Sequence, residues 1–201
     1  MRETGIWQGR FQYIHSGHAH VFKTELPKFK NKMIAIVNPN PLNPAKDFDR
    51  FGVNQNPFTY FQRMLLWKTL ADHEECDVTI IPCWHARYII ALENDFLPSR
   101  STRSWIVPVS QDDREEDKSR DLREKGEDVF DADFMSEPAE FRSVSATMIR
   151  RCLESNNLAY RQFIPEPICE LTEKLVLGID ENIYYAIPFI DDKIDLYSCL
   201  L

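Results

Sequence analysis

Two histidines three residues apart, His15 and His18, lie in the run Gly9-Arg10-Phe11-Gln12-Tyr13-Ile14-His15-Ser16-Gly17-His18. If a helix begins near Ser16, that spacing lets both rings project from one side of the turn toward a single phosphate. Arg10 adds a permanently charged planar donor, and Gly9 and Gly17 would let backbone approach an anion without a side chain in the way. A second run, Val144-Ser145-Ala146-Thr147-Met148-Ile149-Arg150, sets two hydroxyls at the opening of a helix and an arginine about one turn further on. Hydroxyls and unpaired amides there can hold phosphate oxygens, to which Arg150 can return. Both runs point to the handling of polyanions. The plain alternatives are satisfied histidines beside an ordinary turn and a capped helix with a solvent-facing arginine.

These residues need a scaffold that brings distant segments together. The first half of the chain alternates short apolar runs with helix-like stretches, the pattern of an α/β protein with helices over a parallel sheet. Strands are expected at residues 6–11, 33–37, 78–81 and 105–109, and helices at 18–26, from Thr59 to about 71, and at 88–96, 145–154 and 168–177. The first histidine run then falls where the first strand ends and a helix begins. In open α/β sheets ligands bind outside the carboxyl ends of the strands, and a helix N-terminus there favours an anion. Residues 38–55 read as a long rim loop. Residues 112–140, rich in Asp and Glu, read as a solvated helix and loop rather than a metal site.

The chain has 201 residues, enough for one domain of ordinary size. Residues 1–170 are expected to form it, with a C-terminal helix and tail at 171–201 packed on it. The formal charge of −8 is opposite in sign to the field expected of a protein that holds duplex nucleic acid, so an anionic ligand must be met by a local basic site. No apolar stretch approaches the roughly 20 residues of a membrane span, and no signal-peptide core follows Met1; the expectation is a soluble, cytoplasmic protein without membrane or nucleic-acid partners. Five scattered cysteines without a CxxC pair fit neither a disulfide framework nor a tetrahedral zinc site. P-loop and dinucleotide fingerprints are missing as well.

The first run resembles the nucleotidylyltransferase signature, a glycine-rich strand end followed by (H/T)xGH. Its GRFQ start is most similar to archaeal-type nicotinamide mononucleotide (NMN) adenylyltransferases, which have proline where this chain has Tyr13. Residues 144–150 are similar to the family's ISxTxxR motif. Asn56-Pro57-Phe58-Thr59-Tyr60-Phe61-Gln62-Arg63 looks like the NPFTxGER segment, with Phe61 and Gln62 replacing Gly and Glu. There, Thr59 as a helix cap and Phe58 as a core plug explain most of the run without a ligand.

The resemblance implies a Rossmann-like fold and transfer of AMP from ATP to the phosphate of NMN, giving NAD and pyrophosphate, with Mg²⁺ accompanying the triphosphate. It assigns catalysis to His15, His18, Arg10 and Arg150, and nucleotide contacts to Gly9, Phe11, Gln12, Gly17, Ser145 and Thr147. Acceptor contacts fall on Trp84, Tyr88, Asn56 and Arg50. Gln55 stands where the family has a phosphate-holding basic residue, which leaves Arg50 or Arg63 as a substitute, or a different acceptor. An SGNP-like turn is replaced by Ser110-Gln111-Asp112. Phosphates nearby should favour the imidazolium form of the histidines. Three other readings stay open: a relative that transfers AMP or CMP to another phosphate or phosphonate acceptor, a silent nucleotide-binding regulator, and a plain interaction module using the acidic stretch. A homo-oligomer is also left open.

Overall fold

The computed structural model describes residues 2–37, 58–83, 97–109, 113–132, 144–155 and 157–177. Five parallel strands form its centre: β1 (Arg2–Gly9), β2 (Phe29–Val37), β3 (Thr79–Cys83), β4 (Arg103–Pro108) and β5 (Val129–Ala132), in the spatial order β3-β2-β1-β4-β5. Helix α1 (Ser16–Thr24) connects β1 to β2, α2 (Tyr60–His73) precedes β3, and α3 (Asp113–Glu124) connects β4 to β5. Helices α4 (Ala146–Glu154) and α5 (Glu166–Leu177) follow, separated by a 3-10 segment at Leu158–Phe163. The chain winds outward from β1 in both directions, so the strand order reverses between β1 and β4, the place where such sheets bind ligands.

Alternation along β1 shows how the two faces are filled. Trp7 packs with Ile34, Ile36, Ile106 and the inward side chains of α1, α2, α4 and α5, whereas Ile6 packs with Met33, Ala35, Val37, Trp105 and Leu122 of α3. Both faces are thus buried, as a parallel sheet requires. Ile168 is fully buried in the first layer and Leu171, Leu175 and Val176 pack against it, so α5 crosses the residue-170 boundary as one continuous packed helix.

Several expected elements shift. β1 begins four residues earlier than expected and ends at Gly9, because Phe11 turns into the left-handed region with φ 49°. β2 starts at Phe29, and the first helix closes at Thr24 before a 3-10 turn through Pro27. The acidic stretch is not wholly helix and loop. It contains β5, a four-residue edge strand, and Glu127 just before it is buried against Arg103. So short a segment carries too little alternation to be read as a strand. The expected helix at 88–96 and the rim loop at 38–55 lie outside the described residues, except that β3 continues to Cys83.

Candidate active site at the carboxyl edge of the sheet

The turn after β1 is built around Phe11. Its ring folds back over Gly9, where an added Cβ would sit 2.7 Å from the ring atoms. It meets Trp7, His18 and Trp67 edge-on at centroid distances of 5.0–5.3 Å. A left-handed Phe costs roughly 1–2 kcal/mol, which burying the ring offsets at about 2–3 kcal/mol. The missing side chain of Gly9 thus makes room for the Phe11 ring. Phe11 itself is 3% exposed and is a core residue.

Gln12 and Tyr13 tie this turn to the segment before α2. The Gln12 carboxamide accepts from the Phe58 amide at 3.0 Å and donates to the Phe58 carbonyl at 3.4 Å, while Tyr13 packs edge-on to Phe58 at 5.1 Å. The tyrosine that replaces the family's proline thus finds its partner in Phe58. Thr59 caps α2 reciprocally with Gln62: the Gln62 amide donates to Thr59 Oγ1 at 3.2 Å, and the Thr59 amide to Gln62 Oε1 at 2.8 Å. Gln serves as well as Glu in such a capping box.

Arg63 locks the junction. Its guanidinium donates to the carbonyls of Arg10 at 2.6 Å, Val37 at 2.8 Å and Thr59 at 3.2 Å, and the residue is 1% exposed. Burial pulls its pKa down to about 10, still well above neutral. It places a buried positive charge beneath the turn.

His15 and His18 occupy the N-cap and third position of α1. The His18 amide donates to Nδ1 of His15, and the His15 amide to Nδ1 of His18, both at 3.4 Å. The rings stack with centroids 3.7 Å apart and planes 26° apart. This is a capping box made of two imidazoles, a role the sequence reading missed although the x-x spacing of a capping box was there. Burial holds His15 well below its usual value, with the His18 charge adding to the effect. Burial likewise takes His18 down to about 4, while a hydrogen bond to the Tyr13 backbone pulls weakly upward. The protein by itself therefore favours neutral rings, opposite to the imidazolium expected beside phosphates. With Nδ1 accepting the His18 amide, a neutral His15 ring carries its hydrogen on Nε2, while the His18 ring is engaged by both the His15 amide and the Tyr13 backbone. Gly17 is buried between them.

The second run forms the start of α4. Ser145 is its N-cap and accepts from the Met148 amide at 3.2 Å. Arg150 folds back along its own helix, donating to Thr147 Oγ1 at 3.0 Å and to the Ala146 carbonyl at 3.4 Å, so its guanidinium stands over the first turn. Ser16 Oγ donates to the Phe163 carbonyl at 3.0 Å, which ties the start of α1 to the segment following α4. Ile149 shares the apolar layer of Trp7 and Phe11. Among the described contacts none joins Arg150 directly to His15 or His18. Trp84, Tyr88, Asn56 and Arg50 lie outside the described residues, as do Gln55 and residues 110–112.

The far face supplies a cation that sequence reasoning passed over. Lys118 of α3 donates to the Gln8 carbonyl at 3.1 Å. Beside it, the Gln8 amide donates to the buried Cys83 thiol at 3.5 Å, and burial pushes that thiol up to about 12, which leaves it unreactive.

A parallel 3-2-1-4-5 sheet with a histidine-bearing turn after its first strand defines a Rossmann-like nucleotidylyltransferase fold. A sequence model of the cytidylyltransferase-like family matches residues 6–152, more than half of the chain, and the chain belongs to that family. No curated protein matches it by sequence. A bifunctional NMN adenylyltransferase/ADP ribose pyrophosphatase from Francisella tularensis superposes with a TM-score of 0.60 at 20% identity, over 92% of this chain and 55% of that one. Its complex with AMP and a manganese ion gives 0.57 at 18%, over 92% and 51%. A Vibrio parahaemolyticus protein provisionally assigned as a nicotinate-nucleotide adenylyltransferase gives 0.51 at 12%, over 85% and 98%. The chain spans about half the length of the Francisella protein, and at these identities the likeness is one of fold.

Proposed function

We propose that this chain transfers AMP from ATP to the phosphate of NMN. An oxygen of the acceptor phosphate attacks the α-phosphorus, the bond from that phosphorus to the β-bridging oxygen breaks, and pyrophosphate leaves with the electron pair; the product is NAD. The acceptor is already an anion, so no protein nucleophile is needed. The difficulty is to bring two polyanions together and to stabilise charge in the transition state.

The observation that carries the reading is the stacked His15–His18 pair, fixed at the start of α1 directly beyond the carboxyl end of the central strand. The Nε2–H of His15 can donate to a triphosphate oxygen, and an arriving phosphate raises the pKa of both rings, so that His18 can set a positive charge beside it. Arg10 and Arg150 neutralise phosphates on either side, Ser145 and Thr147 orient them, and the free amides of α1 add donors. Gly17 keeps the start of α1 open, while Phe11 and Gln12 act by shaping the turn. Trp84, Tyr88, Asn56 and Arg50 are assigned to the acceptor. Mg²⁺ accompanies the triphosphate, with phosphate and water oxygens as ligands. Among the described residues no three His, Cys, Asp or Glu side chains group to hold a metal, and every step above is assigned to the chain's own residues.

Incubation with ATP, Mg²⁺ and NMN followed by mass detection tests the reading: NAD and pyrophosphate are expected, and pyrophosphate release without NAD would reject NMN as acceptor. A second reading, cytidylyl transfer to another phosphate or phosphonate, is favoured by the name of the family that matches. CTP run in parallel over a panel of such acceptors separates the two.

A further inference from the structure

We propose that His15 meets the ligand as an uncharged imidazole whose tautomer the start of α1 fixes, and that the one proton the pair takes up on binding goes to His18. The inference rests on the reading of the site as one that takes a nucleoside triphosphate.

The two rings of the stack are held differently. Nδ1 of His15 accepts the His18 amide at 3.4 Å, and its Nε2 has no hydrogen-bond partner among the described residues, although the residue is 8% exposed. An enclosed donor without a partner points to an acceptor that arrives with the ligand. A proton added to His15 would have to enter at Nδ1, the nitrogen already occupied, and would set an N–H against the amide N–H. The cap would be lost, and the new charge would stand at the positive end of α1 and against a ring whose centroid is 3.7 Å away.

His18 has an outlet that His15 lacks. The Tyr13 backbone bonds its ring in the sense that favours the charged form. Protonation there frees the His15 amide from Nδ1 of His18, and a phosphate oxygen is a stronger acceptor for that amide than the ring it replaces. The surroundings allow one charge and not two. Trp7 and Phe11 face His18 with uncharged rings, at 5.7 and 5.3 Å. The charged groups that neighbouring elements bring to the turn are Arg10 and Arg63, both cations, and among the described residues no carboxylate shifts either ring. A single imidazolium beside a phosphate is offset by it; a second would face the first across the stack. His15 is left to act as a neutral donor, as an imidazole set at a helix start can toward an oxygen that gains charge.

The test is nitrogen NMR of the full chain carrying isotope-labelled histidine, free and bound to inorganic tripolyphosphate at neutral pH, with the rings assigned from His15→Gln and His18→Gln. In the complex His15 should show one bare and one protonated nitrogen, and His18 two protonated ones. An imidazolium at His15, or on neither ring, would overturn the proposal. Calorimetric titration in two buffers of different ionisation heat gives a second readout: proton uptake on binding should fall by about one in His18→Gln and stay as in wild type in His15→Gln. The opposite pattern would place the charge on the wrong ring. Gln reproduces the Nε2 donor and Asn the capping atom, so His15→Asn should keep the wild-type melting temperature yet bind tripolyphosphate about tenfold more weakly than His15→Gln. Equal binding by the two would make His15 a cap alone and end the inference. Wild type that binds neither tripolyphosphate nor ATP removes the triphosphate reading itself, whereas binding with a charged His15 removes only this inference.

Discussion

The two ends of the sheet treat positive charge in opposite ways. At the amino-terminal edge each of the three arginines described meets a carboxylate. Arg103 grips Glu127 with two bonds of 2.7 and 2.8 Å, both side chains fully buried, while Trp105 Nε1 donates to the same carboxylate at 2.8 Å and Arg100 approaches it at 3.2 Å. Arg2 pairs with Asp128 at 2.6 Å. At the carboxyl edge the described hydrogen bonds of Arg63 and Lys118 end on main-chain carbonyls, and two imidazoles sit above them. A carboxylate neutralises a cation; a carbonyl only orients it. The first edge is closed by buried ion pairs and serves stability, and the second gathers cations and two imidazoles around the end of β1.

Breaking each edge should therefore have different consequences. The largest effect is expected from His18→Ala, which should lower turnover by about a thousandfold, since in the proposed mechanism it removes a group that meets the developing charge. Its stability cost should be only about 1 kcal/mol for the lost cap. Wild-type turnover in an NAD-forming assay would remove His18 from the chemistry. Glu127→Ala should do the reverse, costing about 3–5 kcal/mol by stranding the buried Arg103, with turnover per folded molecule retained. Denaturant titration beside the same assay makes that comparison, and equal loss of both quantities would refute the division between the edges. Arg150→Ala should be milder, weakening ATP binding about tenfold, because the guanidinium is half-exposed and its described bonds stay within its own helix. An unchanged ATP affinity by titration would leave Arg150 as a helix side chain.

The smallest effect, on stability against pH, sharpens the contrast. Both histidines have folded pKa values below their unfolded value near 6.5. The unfolded chain takes up protons first, so stability is full above about 6.5 and falls toward about 4 as the acid side is approached. At Glu127, burial pushes the carboxyl up, but hydrogen bonds from Arg103 and Trp105 with their charges outweigh it and hold it below 4.5. Its contribution is present above the unfolded value and is lost only below it. Two successive losses are expected on acidification, the upper from the carboxyl edge and the lower from the amino edge. Replacing both histidines with asparagine should flatten the upper one, and an unaltered profile from pH 7 to 4.5 would show that the rings titrate normally.

Legibility varied with the range of the interaction. Helix starts at Ser145 and Thr59 were readable because a cap and the amides it serves lie within three residues. The parallel sheet was readable from its apolar runs. The edge strand β5 was not, since four residues inside an acidic run have no pattern of their own and owe their place to β4 and to Glu127 beneath it. In the candidate site, the histidine pair was found by type and spacing, but its neutral, mutually capped state depends on burial. The bond from Gln12 to Phe58, 46 residues along the chain, could not be read from the sequence. Nor does spacing show that Gly9 makes room for the Phe11 ring.

What the sequence determined alone is local: the succession of the first four strands, the turn with its two imidazoles, the hydroxyl-opened helix with its arginine, and a net acidity that requires any cationic site to be small and built. What only the tertiary structure decided is which groups each cation meets. Arg63, Arg103 and Lys118 are alike as members of a sequence, and they diverge only through what lies 20 to 110 residues away: carbonyls at the ends of β1 and β2, a buried glutamate, and the parting of β1 from β4. Pairing of that kind is set by the register and winding of the sheet, a property that no short window of residues contains.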